Sequence, residues 1–245
     1  MRRTLAFASR NGREILRDPL SLLFGIGFPV VLLLLIGMMK RSIRDMPAEL
    51  FAIETFAPGM AVFGLSFLSL FLGLLMSGDR TSAFLTRLFA SPMRGMEYVA
   101  GYSLPLLPMA LCQGIVCFIT AAIFGLPVTS RLLLALFVLL PVGLLFIGFG
   151  LLLGCLFTGG QVGGMGSILV NLAAWLSGTW FSLDMIGGAF RTICNLLPFA
   201  HAVEAVKAAL TGELGAIPLH LLWVLGYAAL LFFLAALLFR KKMKQ

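Results

Sequence analysis

Long apolar runs recur along this chain, separated by short polar intervals. Six segments carry them: Leu20–Met39, Thr55–Met76, Gly101–Leu126, Leu132–Phe157, Val162–Leu183 and Leu219–Phe239. A bilayer core takes about 20 mostly apolar residues per helix, so each segment is long enough to cross. Gly and Pro recur inside them, as bilayer helices tolerate. Gly150/Gly154 and Gly160/Gly164 have the small-x-x-x-small spacing that lets backbones approach closely, which is a packing signal. The pattern predicts an all-α polytopic membrane protein with six transmembrane helices, forming a single transmembrane domain over residues 1–245. The first run, Pro19–Met39, exceeds a signal-peptide core and ends in Met-Met-Lys-Arg without a small-x-small site, so it reads as a retained helix.

The intervals are informative in three places. Residues 2–18 form a basic amphipathic helix, with Leu5, Ala8, Gly12, Ile15 and Leu16 on one face and five arginines together on another. Phe7 does not fit this pattern. Such a helix is expected to lie in the headgroup plane and to enter the bilayer at Asp18-Pro19. Residues 77–100 hold a short helical stretch that Pro92 ends, with Phe84, Leu85, Leu88 and Phe89 on one side and Arg80 and Arg87 on another. Residues 184–218 are too apolar for an ordinary loop, yet carry charges and a proline. They read as a re-entrant or interfacial helical hairpin between helices five and six, which survives at membrane depth only under cover of protein or a water-filled cavity.

Composition agrees with lipid as the main solvent: 60% of the 245 residues are hydrophobic and 11% charged, with a mean hydropathy of +1.06. A soluble domain carries about 25% charged residues. The net charge of +8 would suggest nucleic acid in a soluble protein. Here the basic residues sit at the ends of apolar runs, so membrane orientation and anionic lipid are the better reading, and nucleic acid is not an expected partner. With six spans, one side carries twelve basic residues against four acidic, and the other six against six. The positive-inside rule then places both termini in the cytoplasm, and the chain as a multi-pass protein of the cytoplasmic membrane. The four cysteines form no C-x-x-C pair and read as packing residues, so no metal site is expected.

The spans carry no Asp, Glu, Lys or Arg, and His220 stands only at the first turn of the sixth. Ion-coupled transporters usually need an ionisable relay, so coupling to a gradient is disfavoured. The chain also lacks the G-x-x-x-x-G-K-[ST] phosphate loop. It is therefore expected to be no enzyme by itself and to hold no cofactor. An ATP-driven process would place ATP and Mg on a separate subunit, which the 77–100 loop would receive. An intramembrane serine protease built on Ser177 and His220 is the enzyme alternative, but Trp175 occupies the first Gly position of G-x-S-G. Asn171 and Gln113 are the most polar side chains of their spans. They read as hydrogen bonds between helices, with lining of a substrate path as the sharper option. Trp180 reads as an interface anchor, and Glu204 and Lys207, three apart, as a pair. His201 reads as a hydrogen-bonded turn residue.

Arg80–Tyr102 (RTSAFLTRLFASPMRGMEYVAGY) resembles the coupling segment of type-2 ABC exporter permeases. Asp79-Arg80, Leu85, Leu88, Ser91-Pro92, Glu97-Tyr98 and Gly101 match; Thr81, Ala83-Phe84, Thr86 and Tyr102 depart from the usual residues. REILRDPLSLLFGIGFP (Arg13–Pro29) resembles the family's first helix at the membrane surface. LSGTWF (Leu176–Phe181) with LLPFAHAVEAVKAAL (Leu196–Leu210) resembles its fifth span and outer hairpin, Ser182 and Lys207 replacing the usual proline and arginine. The resemblance implies a dimer of this chain with a second copy or a homologous permease, each docked on an ABC ATPase subunit and moving an amphiphile outward. The implied coupling residues are Arg80, Phe84, Leu85, Arg87, Leu88, Phe89, Ser91 and Pro92; Asn171, Trp175, Ser177 and Phe181 are candidates for the substrate path. A drug, antibiotic or peptide is the favoured cargo, with a lipid-linked polysaccharide or lipid second.

Overall fold

The computed structural model describes residues 2–42, 52–82, 84, 93, 95–181 and 183–242. Among these, every regular element is helical. Helix α1 (Arg2–Arg17) leads into a first span assembled from α2 (Pro19–Leu22), a π-helical turn (Leu23–Gly27) and α3 (Phe28–Ser42). There follow α4 (Ile53–Thr81), α5 (Gly95–Ser103), α6 (Leu106–Ile123), α7 (Ser130–Leu156), α8 (Gly159–Leu176), α9 (Leu183–Ile186), α10 (Gly188–Leu196), α11 (Pro198–Thr211) and α12 (Ile217–Lys242). Five stretches are long and apolar enough to cross a membrane: Pro19–Lys40, Ile53–Thr81, Gly95–Ile123, Ser130–Leu156 and Ile217–Phe239.

The chain writes these boundaries locally. Asp18 caps α2, its carboxylate accepting from Leu20 N at 3.1 Å and from Ser21 Oγ at 2.6 Å, and Pro19 takes the first helical position. The third span starts at Gly95, ahead of the expected Gly101, and is broken between α5 and α6 at Pro105, which has no N–H to give. Thr158 and Gln161 form a capping box at the start of α8.

The expected fifth span, Val162–Leu183, takes a different form. Its helix is α8, which stops at Leu176 because the chain turns at Gly178 with φ +75°, a conformation that favours glycine. Beyond it, residues 183–211 fold as three short helices, α9, α10 and α11. Here α10 and α11 meet at Leu197-Pro198 with an 81° bend and form a sixth candidate crossing if they count as one broken span.

Helix α4 is the axis of the bundle. Its most apolar window is 83% buried, against 22% for both the first span and α12. It packs against α7 through bare backbone. A Cβ on Gly150 would lie 2.8 Å from Ser69 O, and one on Gly154 would lie 2.6 Å from Met76 Cβ. The Gly150/Gly154 spacing is therefore a close-approach face. Gly160 and Gly164 share that spacing but meet nothing within 4 Å, leaving that face of α8 open. Cys117, Cys155 and Cys194 are buried, and Cys112 is exposed.

Candidate coupling site

At one end of the bundle α1, the last turn of α4, α5 and the end of α7 are joined by a polar network. Asp79, in the last turn of α4, is 3% exposed. One oxygen, Oδ2, accepts from Arg10 Nη1 at 2.8 Å and from the Tyr102 hydroxyl at 2.9 Å. Arg10 Nη1 also donates to Asn11 Oδ1 at 3.0 Å, and Asn11 Nδ2 donates to Gly101 O at 3.1 Å. Asn11 is fully buried, so this bond satisfies an amide that would otherwise be costly. Glu14 lies 3.7 Å from the same guanidinium.

Arg80, the next residue, turns the other way. Its Nη1 donates to the carbonyls of Gly154, Cys155 and Phe157 at 2.8, 3.1 and 3.2 Å. These are orphan acceptors at the C-terminus of α7, where a cation also meets the negative end of the helix dipole. Asp79 and Arg80 read in the sequence as a matched pair of opposite charges. In space they clamp different partners, one α1 and α5, the other α7.

An aromatic cluster fills the same junction. Phe7, the residue that broke the amphipathic pattern, is 5% exposed and packs where Gly101 has no side chain. Its ring lies 4.8 Å from that of Tyr102 and 6.3 Å from that of Phe84, and the Arg10 guanidinium stands 4.4 Å over Phe84. Phe239 of α12 stacks on Tyr98 and Tyr102. On the expected apolar face of α1, Ala8 and Ile15 are buried while Leu5 and Leu16 are 61% and 67% exposed. The helix therefore docks on α5 with one edge and leaves the other uncovered.

Of the expected coupling residues, Arg80 and Phe84 are thus anchored to the bundle. Leu85, Arg87, Leu88, Phe89, Ser91 and Pro92 lie outside the described residues. Both flanks of that segment are fixed, α4 on one side by Asp79 and Arg80, α5 on the other by Tyr98 and Tyr102. The sequence reading missed Arg10, Asn11 and Asp79 as a network, since 69 residues separate Arg10 from Asp79.

The expected path residues divide between two places. Asn171 and Trp175 line a groove of about 380 Å³ between α8, α4 and the first span, together with Phe28, Phe63, Phe67 and Trp180. Asn171 is exposed, and its Nδ2 donates to Ser167 O within its own helix at 2.9 Å. Trp180 packs edge-on against Phe56 and Phe63. Phe181 lies 5.9 Å from Trp175 but lines a second cavity of about 440 Å³, beside His201 and Glu204. Ser177 is buried, donating to Ala174 O and meeting Thr179 Oγ1 at 2.7 Å. His220 is engaged elsewhere, 2.8 Å from His201 Nδ1, so Ser177 and His220 form no nucleophile–base pair. Glu204 and Lys207 do pair, at 3.4 Å, and His201 sits within α11 rather than in a turn.

Comparison with known proteins bears on this arrangement. The family model described as "ABC-2 type transporter" matches residues 2–211. A relative, Nodulation protein J of Rhizobium meliloti (strain 1021), is 28% identical over 78 residues, which is 31% of this chain and 30% of that protein. The chain thus aligns with under a third of that relative's length. The family match takes in α1, both flanks of residues 85–92 and the bent pair α10–α11, and with five membrane-length stretches it is decisive: the chain belongs to the ABC-2 type transporter membrane family.

Proposed function

We propose that the chain is the transmembrane subunit of an ATP-driven exporter of amphiphiles, working as a dimer with an ABC ATPase subunit on each half. The observation that carries this reading is the junction at the foot of α4. A segment whose two flanks are tied to the most buried helix, and through Arg10 to α1, transmits a push from outside into the bundle axis. ATP and Mg belong to the ATPase subunit. The docking surface is the segment from Arg80 to Pro92, with Leu88 and Phe89 as its apolar contact.

The cargo path is the groove at Phe28, Phe67 and Trp175. Its aromatic walls suit flat or apolar moieties, and Asn171 supplies one polar contact; a drug-like or peptide amphiphile fits it better than a bare ion. The open Gly160/Gly164 face of α8 flanks this groove and lets a second copy approach closely, which supports the dimer. In the membrane, α8 then serves as the fifth crossing, while α10 and α11 form the outer hairpin.

This function requires residues 77–100 and both termini on the ATP side, as the distribution of arginines implies. In a Cys-free background, a cysteine at Glu213 is expected to react with an impermeant thiol reagent added to intact cells, and one at Arg87 only after permeabilisation. The reverse pattern contradicts the orientation and, with it, ATPase docking at this loop.

A further inference from the structure

The chain holds two histidines, and they meet. His201 stands one turn into α11 and His220 one turn into α12, with their Nδ1 atoms 2.8 Å apart. The other ring nitrogen of His201, Nε2, lies 2.9 Å from Asn195 O near the end of α10. A carbonyl oxygen only accepts, so Nε2 carries a proton. A neutral His201 then has a bare Nδ1, which accepts from His220 Nδ1–H. A cationic His201 instead donates from Nδ1 to a bare His220 Nδ1. One proton lies between the rings in either case. The bond therefore survives the first added proton, which makes it charge-assisted. A second added proton puts an N–H on both facing atoms, and two cations then stand in contact.

The contact sits on the 81° bend between α10 and α11. Helix α12 grips this bend with one face. His220 meets His201; Trp223 stacks on the same ring at 5.0 Å, the planes 13° apart; the Tyr227 hydroxyl donates to Leu196 O at 2.8 Å. The carbonyls of Asn195 and Leu196 are helix-end acceptors without an intrahelical donor, so His201 and Tyr227 satisfy what the bend leaves open.

Both rings line the cavity of about 440 Å³, so a proton entering it reaches them directly. The charged groups facing them there are Arg191 of α10 and Glu204 and Lys207 of α11; α4 contributes Thr55 and the link after α8 contributes Thr179. Glu204 is the one carboxylate among these lining residues, and it pairs with Lys207 at 3.4 Å. Arg131 of α7 donates to Thr211 O at the far end of α11, Glu213 lies in the α11–α12 link outside the cavity lining, and α12 carries no charge before Arg240. A doubly protonated pair thus has two cations beside it and one carboxylate already shared.

We propose that His201 and His220 form a proton-operated clasp: with one added proton or none it holds α12 against the α10–α11 bend, and a second proton parts them and loosens the wall of the adjoining cavity. The clasp is independent of how transport is driven.

Two histidines make the test direct. The full chain carrying isotope-labelled histidine, in phosphatidylcholine vesicles, gives nitrogen NMR signals from these two rings alone. At about pH 8 they are expected to show different tautomers, His201 as Nε2–H and His220 as Nδ1–H. Acidification to about pH 5 spans the ordinary histidine range. The two added protons are expected to bind in separate steps, about one pH unit or more apart. Over the same interval, amides of residues 195–205 and 217–224 are expected to lose about tenfold in hydrogen-exchange protection, corrected for intrinsic rates. His220→Asn sets an amide N–H where Nδ1–H stood and takes up no proton, so it is expected to keep that protection at both pH values. Two rings in the Nε2–H tautomer, or titrating together in one step, mean that no proton lies between them, and overturn the clasp. So does an equal acid loss of protection in wild type and His220→Asn, or no loss in wild type.

Discussion

Asp79→Leu is expected to release α1 from the bundle and to abolish coupled transport while the apolar spans still insert. The carboxylate is almost wholly buried and holds both the Arg10 guanidinium and the Tyr102 hydroxyl on one oxygen. Removing one member of such a pair leaves the others desolvated without a partner, at a cost of about 3–5 kcal/mol. Arg10 is 34% exposed and regains some hydration, which favours the lower end of that range. Tyr102→Phe removes a single neutral donor and is expected to cost only about 1 kcal/mol. The contrast is measurable by hydrogen exchange: amides of α1 lose protection in Asp79→Leu and keep most of it in Tyr102→Phe. Equal protection of α1 in wild type and Asp79→Leu would mean that Phe7 and its ring contacts hold the helix unaided.

Leu88→Asp with Phe89→Asp is expected to separate membrane assembly from ATPase docking. These residues belong to the short segment between Arg80 and Tyr102, both of which are held in the bundle junction. Burying an uncompensated carboxylate in an apolar groove costs several kcal/mol, enough to dissolve a modest interface. The double variant is expected to reach the membrane at wild-type levels and to recover less than about a tenth of the ATPase on co-purification. Full recovery together with undiminished transport would remove Leu88 and Phe89 from the docking surface.

What the sequence made legible follows from how local each signal is. Apolar runs and arginine placement are properties of consecutive residues, so the helical class and four of the membrane-length helices were readable to within a few residues. The cap at Asp18-Pro19 and the pair Glu204/Lys207 are local in the same way. The fifth segment was misread because its hydropathy runs on past Leu176, whereas the chain turns on the backbone freedom of Gly178. Phe7 looked like a fault in an amphipathic pattern because its partner is the absent side chain of Gly101, across 94 residues of chain. The Arg10–Asp79 bond was equally invisible, since each residue alone reads as one more charge at a membrane surface. Gln113 was the reverse case: its polarity was plain, but that it lies on Gly64 with no hydrogen-bond partner among the described residues is a fact of packing alone.

The central claim is that energy enters through a separate ATPase and reaches the cargo path through the foot of α4. Its most direct measurement is transport by vesicles holding the purified chain, with and without an ABC ATPase subunit and ATP. The five membrane-length stretches and α8 contain no carboxylate or basic side chain away from their end turns that would carry a coupling ion; Glu204 and Lys207 lie in the bent pair α10–α11 and pair with each other. Backbone carbonyls at broken helices can bind sodium, and the glycine-rich start of α8 makes this a fair test. The account predicts no nucleotide hydrolysis and no gradient-driven transport by the chain alone, and ATP-dependent, ionophore-insensitive transport once the ATPase is added. Uptake by the lone chain under a proton or sodium gradient, abolished by an ionophore, would contradict it.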